Sequence, residues 1–100
     1  DKPHKLFILN DIYEHSLYSE MLIILYYLQK FDEANKILKK LLMANITNPI
    51  YINMTNYNIK YFISHIDKND WEFYGKFQRY SKKFHVPEEL KKVVDKLFTE

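Results

Sequence analysis

The sequence contains no cysteine, a single glycine and three prolines in its 100 residues. Without cysteine there can be no disulfide bond, thiolate-ligated metal or cysteine nucleophile. With Gly75 as the only glycine, the chain also lacks glycine-rich phosphate-binding loops and the many turns that β-sandwiches and barrels require. These absences leave a helical protein as the expected fold class.

A strong excess of charge of either sign is also missing, since 15 basic residues stand against 13 acidic ones, for a net charge of +2. This balance is too mild to require a nucleic-acid or membrane partner. Arg79 is the only arginine, and arginine is the side chain suited to bidentate contacts with phosphate and guanine. Lysine, asparagine, isoleucine and tyrosine are abundant, whereas alanine occurs twice. Such a bias is typical of AT-rich genomes, as in apicomplexan parasites or some bacteria and protists.

Long hydrophobic runs are absent as well. The longest apolar run, Met21–Leu28, has eight residues, whereas a transmembrane helix needs about 20, and no signal-peptide pattern precedes it. We therefore expect a soluble, intracellular protein of the cytoplasm with no transmembrane segment. Because the chain begins at Asp1 rather than at a methionine, we expect an excised domain or a processed product.

What the sequence does contain is apolar residues at helical spacing. Hydrophobic residues make up 47% of the chain and aromatic residues 17%, and they recur at intervals of three and four, as where Met54, Tyr57 and Tyr61 follow Ile50. We predict a single all-α domain over residues 1–100, with five or six helices in antiparallel helical hairpins that form a short repeat array or a compact helical bundle. The predicted helices span 5–14, 17–29, 32–44, 49–66, 69–84 and 87–98, and the first two are alternatively one bent helix.

Polar residues mark the expected starts of three of these helices. Asn48 is a predicted N-cap because Pro49 suits the first helical position, where its missing N–H does no harm. Asp32 and Asn69 follow short polar turns and are also predicted caps, because Asp and Asn are favoured at the N-cap position.

The segment from Glu20 to Leu42 resembles one helical hairpin of the tetratricopeptide repeat (TPR) family. Phe31, Asp32, Glu33 and Ala34 match the aromatic residue and Asp-Glu-Ala step that follow the turn in that family. The alanine there permits close crossing of the two helices. The resemblance implies stacked helical hairpins with a period of about 32 residues, and the hairpin is also similar to that of pentatricopeptide repeats.

The sequence departs from the TPR pattern at two positions of this hairpin. Leu22 stands where a small residue is usual in the first helix, and Gln29 replaces the glycine of the turn. A second copy, residues 56–84, matches in outline, with Trp71 in place of Phe31 and Tyr74 in place of Ala34.

The resemblance implies a non-enzymatic domain that binds a protein or peptide partner in the groove between the first helices of successive hairpins. The residues that we predict to line this groove are Tyr18, Tyr26, Asn58 and Lys60. Tyrosine offers contact area at low entropic cost, and lysine or asparagine can bind carboxylates and peptide backbone.

An alternative function is RNA binding by the basic helix at residues 71–85. Its basic face comprises Lys76, Arg79, Lys82 and Lys83, which would contact phosphates, while Phe73, Phe77, Tyr80 and Phe84 would stack on bases. The competing interpretation, which we favour, is an amphipathic helix whose aromatic face is core and whose lysines are solvated. A basic helix that docks on an acidic partner or lipid surface, and a structural or dimerising segment, are further alternatives.

No pattern in the sequence indicates catalysis, a cofactor, a metal or a small-molecule substrate. His4, His15, His65 and His85 lack metal-ligand spacing, and the cluster of Asp11, Glu14 and His15 is interpreted as a solvated helix end rather than a proton-transfer site. Asn45 and Asn53 each begin an N-x-T glycosylation pattern, which we interpret as turn and helix-entry chemistry.

Overall fold

The computed structural model of the protein describes the backbone of residues 2–44 and 47–99 and the side chains of residues 13–44 and 47–99. It is all-helical over these residues, which confirms the predicted fold class. The helices are α1 (Lys2–Tyr27), α2 (Phe31–Leu42), α3 (Pro49–Phe62), a 3₁₀ turn (Ile63–His65), α4 (Trp71–Lys83) and α5 (Glu88–Thr99).

Each of the five helices places at least one large side chain in a common core. Fully buried are Leu22 of α1, Leu38 of α2, Ile59 of α3, Phe73 and Phe77 of α4, and Val94 of α5. Around this core α1 packs on α2 and α3, α2 contacts α3 and α4, and α5 packs on α4. The five helices are thus held by burial of one shared apolar interior.

The first two predicted helices form one continuous helix, α1, so the predicted boundary at residues 15–16 is absent. The chain leaves α1 through a turn in which Lys30 N donates to Leu25 O at 2.9 Å and Gln29 N donates to Tyr26 O at 3.1 Å. This is the Schellman pattern, which places one residue in the left-handed region. That residue is Gln29, with φ of 58°, at the position where the TPR pattern has glycine.

Ala34 of α2 is entirely buried, and α1 and α2 pack along each other as a helical hairpin. Its small side chain lets the two backbones approach closely. Tyr74 of α4, which the resemblance aligns with Ala34, is half-buried and packs instead against α5, with its ring centroid 4.8 Å from that of Phe98 and its hydroxyl donating to Asp95 Oδ1 at 2.8 Å.

The predicted capping residues are correct for one helix and wrong for two. Asn48 caps α3 by accepting from Ile50 N at 3.0 Å, with Pro49 at the first position. α2 begins one residue earlier than predicted and has no side-chain cap, so Asp32 lies in its first turn instead. α4 is capped by Asp70, which accepts from Phe73 N at 3.1 Å, and not by Asn69.

Asp70 joins α4 to α2 as well as capping it. Its Oδ2 accepts hydrogen bonds from Asn35 and from Lys39, the latter at 3.0 Å, and Lys39 also pairs with Glu72 at 3.3 Å. Burial alone would raise the pKa of Asp70, but the hydrogen bonds from Lys39, Phe73 N and Asn35 outweigh it and hold that pKa below its usual value. The carboxylate is therefore charged and fully paired at neutral pH.

Four aromatic residues were predicted to form one buried face of α4, and three of them are core residues. Phe73, Phe77 and Tyr80 are buried, and Phe84 is half-buried just after the helix ends. The amphipathic interpretation of this helix is confirmed. In the part of the chain that the structure describes, no helix combines the length and apolar character that a bilayer span needs.

Replacing Gln29 by glycine is expected to stabilise the protein. A left-handed conformation costs a non-glycine residue about 1–2 kcal/mol, and part of this gain is offset by the greater entropy of glycine in the unfolded chain, so Gln29→Gly should raise the free energy of unfolding by about 0.5–1 kcal/mol. The matched control is Gln78→Gly, an exposed position inside α4, where glycine should cost about 1 kcal/mol. Urea unfolding of both variants measures the difference, and a loss of stability in Gln29→Gly contradicts the turn assignment.

Removing the Asp70 carboxylate is expected to destabilise the protein far more than removing a neighbouring one. Asp70→Ala loses an N-cap, removes the acceptor of the Asn35 amide and leaves Lys39 with its pair to the exposed Glu72, for a cost of about 2–3 kcal/mol. Asp67, which accepts only from Asn69 N in an exposed turn, is the control, and Asp67→Ala should cost less than about 1 kcal/mol. Equal midpoints of thermal unfolding for the two variants would show that Asp70 does not join α2 to α4.

Candidate functional site

A groove of about 500 Å³ runs between α1 and α3 and is here called the tyrosine groove. α1 contributes Ser19, Leu22, Ile23, Tyr26 and Tyr27 to its lining, and α3 contributes Asn53, Met54, Tyr57, Asn58, Tyr61 and Phe62. Leu22 and Phe62 are core residues that form its floor. Its walls are formed by the side chains that the two helices leave outside the core.

Large apolar surface remains exposed along this groove. Tyr27 is 79% exposed, Tyr57 66% and Ile23 57%, although all three belong to well-formed helices. Burial of such surface is favourable, and contiguous exposed apolar patches on soluble proteins mark sites of interaction. The tyrosine groove therefore has the character of a surface that another molecule covers.

The tyrosine rings of the groove are held by one another. Tyr26 lies at its centre, with its ring 4.6 Å from that of Tyr61 and 5.7 Å from that of Phe62. Tyr57 and Tyr61 stack with centroids 6.1 Å apart. Because each ring restricts its neighbours, the groove is largely preformed and loses little side-chain entropy when it is filled.

The tyrosine groove carries no charge. None of its lining residues is acidic or basic, and its polar groups are the amides of Asn53 and Asn58, the Ser19 hydroxyl and the tyrosine phenols. Desolvation and the hydrogen bond with Tyr26 raise the pKa of Tyr61 above its usual value, so the phenol stays neutral. The surface can offer apolar contact and neutral hydrogen bonds, and it has no group suited to acid–base catalysis at neutral pH.

A second groove of about 520 Å³ lies on the other side of α3, between that helix and α5. Asn53 and Tyr57 line both grooves and form the ridge between them. The second groove differs in charge, because Lys60 stands on its α3 wall and Glu89 on its α5 wall. The two grooves together make α3 the central helix of one extended surface.

The structure brings together two of the four residues predicted to bind a partner. Tyr26 and Asn58 both line the tyrosine groove. Lys60 faces the second groove instead, because two residues turn a helix by about 200°. Tyr18 lies in neither groove: its ring packs beneath Lys40 of α2, with Nζ 5.6 Å from the centroid, since it sits about 80° around α1 from Tyr26.

Sequence reasoning missed Tyr57, Tyr61 and Asn53, and the signal that could have found them lies in α3 itself. The apolar series Ile50, Met54, Tyr57 and Tyr61 identified the helix correctly, but Ile50, Tyr57 and Tyr61 are exposed. The buried residues of α3 are Thr55, Asn56, Ile59 and Phe62. The apolar series of α3 therefore lies mostly outside the core, because the helix buries a different and partly polar face.

The basic face of α4 is partly used within the fold. Lys76 pairs with Glu72 at 3.4 Å, and Lys83 lies 5.3 Å over the Phe84 ring, while Arg79 and Lys82 are exposed. Lys76, Arg79 and Lys83 line a cavity of about 180 Å³ against the C-terminal end of α2, where cations stabilise the helix dipole. Of the four rings that the RNA hypothesis assigned to stacking, Phe73, Phe77 and Tyr80 belong to the core and Phe84 is half-buried, which leaves this face mainly with phosphate contacts.

His15 is only 3% exposed, so its interpretation as part of a solvated helix end is wrong. Its Nε2 lies 2.9 Å from Thr55 Oγ1 of α3, and its ring meets that of Tyr51 edge-on with centroids 4.9 Å apart. Glu14 is exposed, and the side chains of Asp11 and His4 lie outside the described residues. The imidazole thus joins α1 to α3 next to the tyrosine groove.

The glycosylation pattern at Asn53 falls inside α3, with Asn53 exposed on the groove and Thr55 buried. Thr55 Oγ1 donates to Tyr51 O at 3.0 Å, so its hydroxyl is part of the folded interior and the pattern is not presented as a surface loop. The corresponding pattern at Asn45 lies outside the described residues. No group of three or more metal-ligating side chains gathers within the described ranges.

The aromatic cluster around Tyr26 predicts which groove side chains can be removed without lowering the free energy of unfolding. Tyr26→Ala should lower the free energy of unfolding by about 2 kcal/mol, because the ring contacts five other aromatic side chains, Tyr27 among them, and is half-buried. Tyr27→Ala should leave it unchanged, because that ring is almost fully exposed. Chemical denaturation of both variants checks this difference, and equal stabilities would contradict a supporting role for Tyr26.

Comparison of the chain with protein-family models, with curated proteins and with solved structures gives no match. The TPR resemblance of residues 20–42 therefore stays a prediction. What the chain does is to be inferred from the shape and chemistry of its own surfaces.

Proposed function

We propose that this domain is a non-enzymatic interaction module that binds a protein or peptide segment in the tyrosine groove. The observation that carries the proposal is an uncharged concave surface between α1 and α3, on which Tyr27, Tyr57 and Ile23 remain mostly exposed. Aromatic side chains, tyrosine among them, are enriched at protein interfaces, and a ring supplies a large contact area for few rotatable bonds.

The arrangement of the groove suits a polypeptide with an apolar face. Two helices form its walls and core residues form its floor, as in surfaces that receive an amphipathic helix or an extended segment. Asn53 and Asn58 place neutral donors and acceptors beside the rings, which suits the amide groups of a peptide backbone. The same surface continues over Tyr57 into the second groove, where Lys60 and Glu89 offer charges of both signs.

The proposal agrees with the expected geometry of stacked helical hairpins, in which the first helices of successive hairpins line a common concave face. α1 and α3 are those helices in the predicted repeat. Phosphate binding by the basic face of α4 is a weaker alternative, because Arg79 and Lys82 are exposed but the adjacent rings are buried.

The test is to select binders from a displayed library of random peptides and to measure their affinity for two matched variants. Tyr57 and Tyr13 are each 66% exposed, but only Tyr57 lines the groove. Tyr57→Ala should weaken binding about tenfold or more, whereas Tyr13→Ala should leave it unchanged. Isothermal titration calorimetry gives both affinities.

Two outcomes would contradict the proposal. One is an equal loss of affinity in Tyr57→Ala and Tyr13→Ala, since the bound peptide would then not occupy the groove. The other is binding of single-stranded RNA that falls steeply with salt and is abolished by Arg79→Glu but not by Tyr57→Ala, together with the absence of any groove-binding peptide. That result would assign the function to α4.

A further inference from the structure

His15 is a buried titratable group between the two helices that form the tyrosine groove. The Thr55 hydroxyl has one proton, and with that proton donated to Tyr51 O at 3.0 Å, the same oxygen accepts toward His15, 2.9 Å away. This arrangement assigns the proton of the neutral imidazole to Nε2 and its free lone pair to Nδ1.

Nδ1 is buried without a hydrogen-bond partner. The imidazole lines a very small cavity whose other walls come from α2, α3 and α4 and from the residues that follow α2 and α4. These lining residues are Leu41, Ala44, Tyr51, Ile52, Thr55, Tyr80 and Phe84. A proton on Nδ1 would create a buried cation whose new N–H has no acceptor, which is costly.

Among the side chains that the structure describes, residues 13–44 and 47–99, the groups that face the imidazole offer no counter-charge. From α3 the titratable group is the Tyr51 phenol and from α4 the Tyr80 phenol, both neutral in acid, while the residues of the α2 side, Leu41 and Ala44, are apolar. Lys83 of α4 contacts the Phe84 ring of this lining, and its side chain is a cation. On α1 itself Glu14 is exposed, and the side chain of Asp11 is outside the described residues.

We propose that the His15–Thr55 contact is a pH-sensitive switch between α1 and α3, which is closed while the imidazole is neutral and opens when it is protonated. Opening separates the turn of α1 around His15 from the part of α3 around Thr55. His15 lies one helical turn from Ser19 of the tyrosine groove, and Thr55 lies two residues from Asn53 of the same groove. We also expect the opening to weaken binding in the tyrosine groove, and this part of the inference rests on the proposed function. The separation of the two helices is independent of the proposed function.

The direction of the effect follows from the environment of the ring. Burial lowers the pKa of His15 in the closed state, against a smaller opposing contribution from the Tyr51 backbone. The open state binds the proton at the ordinary value of about 6.5, so closure is fully favoured above that pH and is progressively lost below it. Between about pH 7.5 and about pH 5.5 the ratio of open to closed molecules should rise, by about tenfold at most.

Hydrogen exchange of the wild-type chain at these two pH values tests the switch, with protection factors corrected for the intrinsic pH dependence of exchange. Amides around His15 in α1 and around Thr55 in α3 should lose protection, by up to about tenfold, while those of Phe73 and Val94 in the core change little. His15→Gln keeps a donor near Nε2 but cannot titrate, so its protection should not respond to pH. His85→Gln, at an exposed histidine, should respond like the wild type, as should Asp11→Asn.

The proposal is overturned if His15→Gln loses protection as the wild type does, if protection falls equally in all helices, or if a response appears only in Asp11→Asn. Should His15→Gln not fold, an NMR titration of the wild-type imidazole decides instead: an Nε2–H tautomer with a pKa below about 6.5 supports the switch, and an Nδ1–H tautomer or a pKa at or above that value overturns it. Neither measurement involves a peptide, so failure of the proposed function leaves this result unaffected.

Discussion

The structure depends on burial of a single apolar core to which all five helices contribute. Leu22, Leu38, Ile59, Phe73 and Val94 each anchor a different helix and are entirely or almost entirely removed from water. Their burial supplies the main driving force for packing the helices together. Once these anchors are satisfied, the orientation of every helix is fixed, and so is the choice of which side chains remain outside.

α3 shows how this constraint leaves aromatic side chains exposed on the surface of the protein. Its inner face contains Thr55, Asn56 and Ile59, two of which are polar, and they are accommodated by hydrogen bonds to other helices and to the chain after α4. Its outer face contains Tyr57 and Tyr61, which are aromatic and exposed. Polar residues inside and aromatic residues outside reverse the usual arrangement. The inner residues are satisfied by hydrogen bonds, and the outer ones line the tyrosine groove.

Polar contacts in the interior determine how the helices are joined, in addition to how well they pack. Asp70 ties α4 to α2 with a cap and two side-chain hydrogen bonds, and Tyr80 donates to Asn56 Oδ1 at 2.9 Å to join α4 to α3. His15 and Thr55 join α1 to α3. Of these contacts only the last leaves a buried nitrogen unsatisfied on a group that titrates near neutral pH, which is why it is the one suited to switching.

Helical periodicity, the cap at Asn48 and the aromatic face of α4 could be identified from the sequence, because each is encoded by residues within a few positions of one another. The same local signals predicted caps at Asp32 and Asn69. The structure has no side-chain cap on α2 and uses Asp70 on α4. The residue at which a helix begins also depends on the contacts that the neighbouring helix supplies, so a local signal can misplace it by one position. For the candidate site, Tyr26 and Asn58 were predictable from the position of the first helices. Tyr57 and Tyr61 could not be predicted as site residues, because they lie on an apolar face of α3 and the face that the structure buries is the more polar one.

By itself the sequence determined that this chain is helical and roughly where its helices begin and end, since backbone propensity, capping and apolar spacing act over a few residues. Only the tertiary structure decided which of the two stripes of α3 faces the interior, that His15 is buried opposite Thr55, and that Tyr18 packs on α2 rather than in the groove. These outcomes depend on contacts between residues about 20–40 positions apart, whose free energies are realised only when all five helices fill one core together.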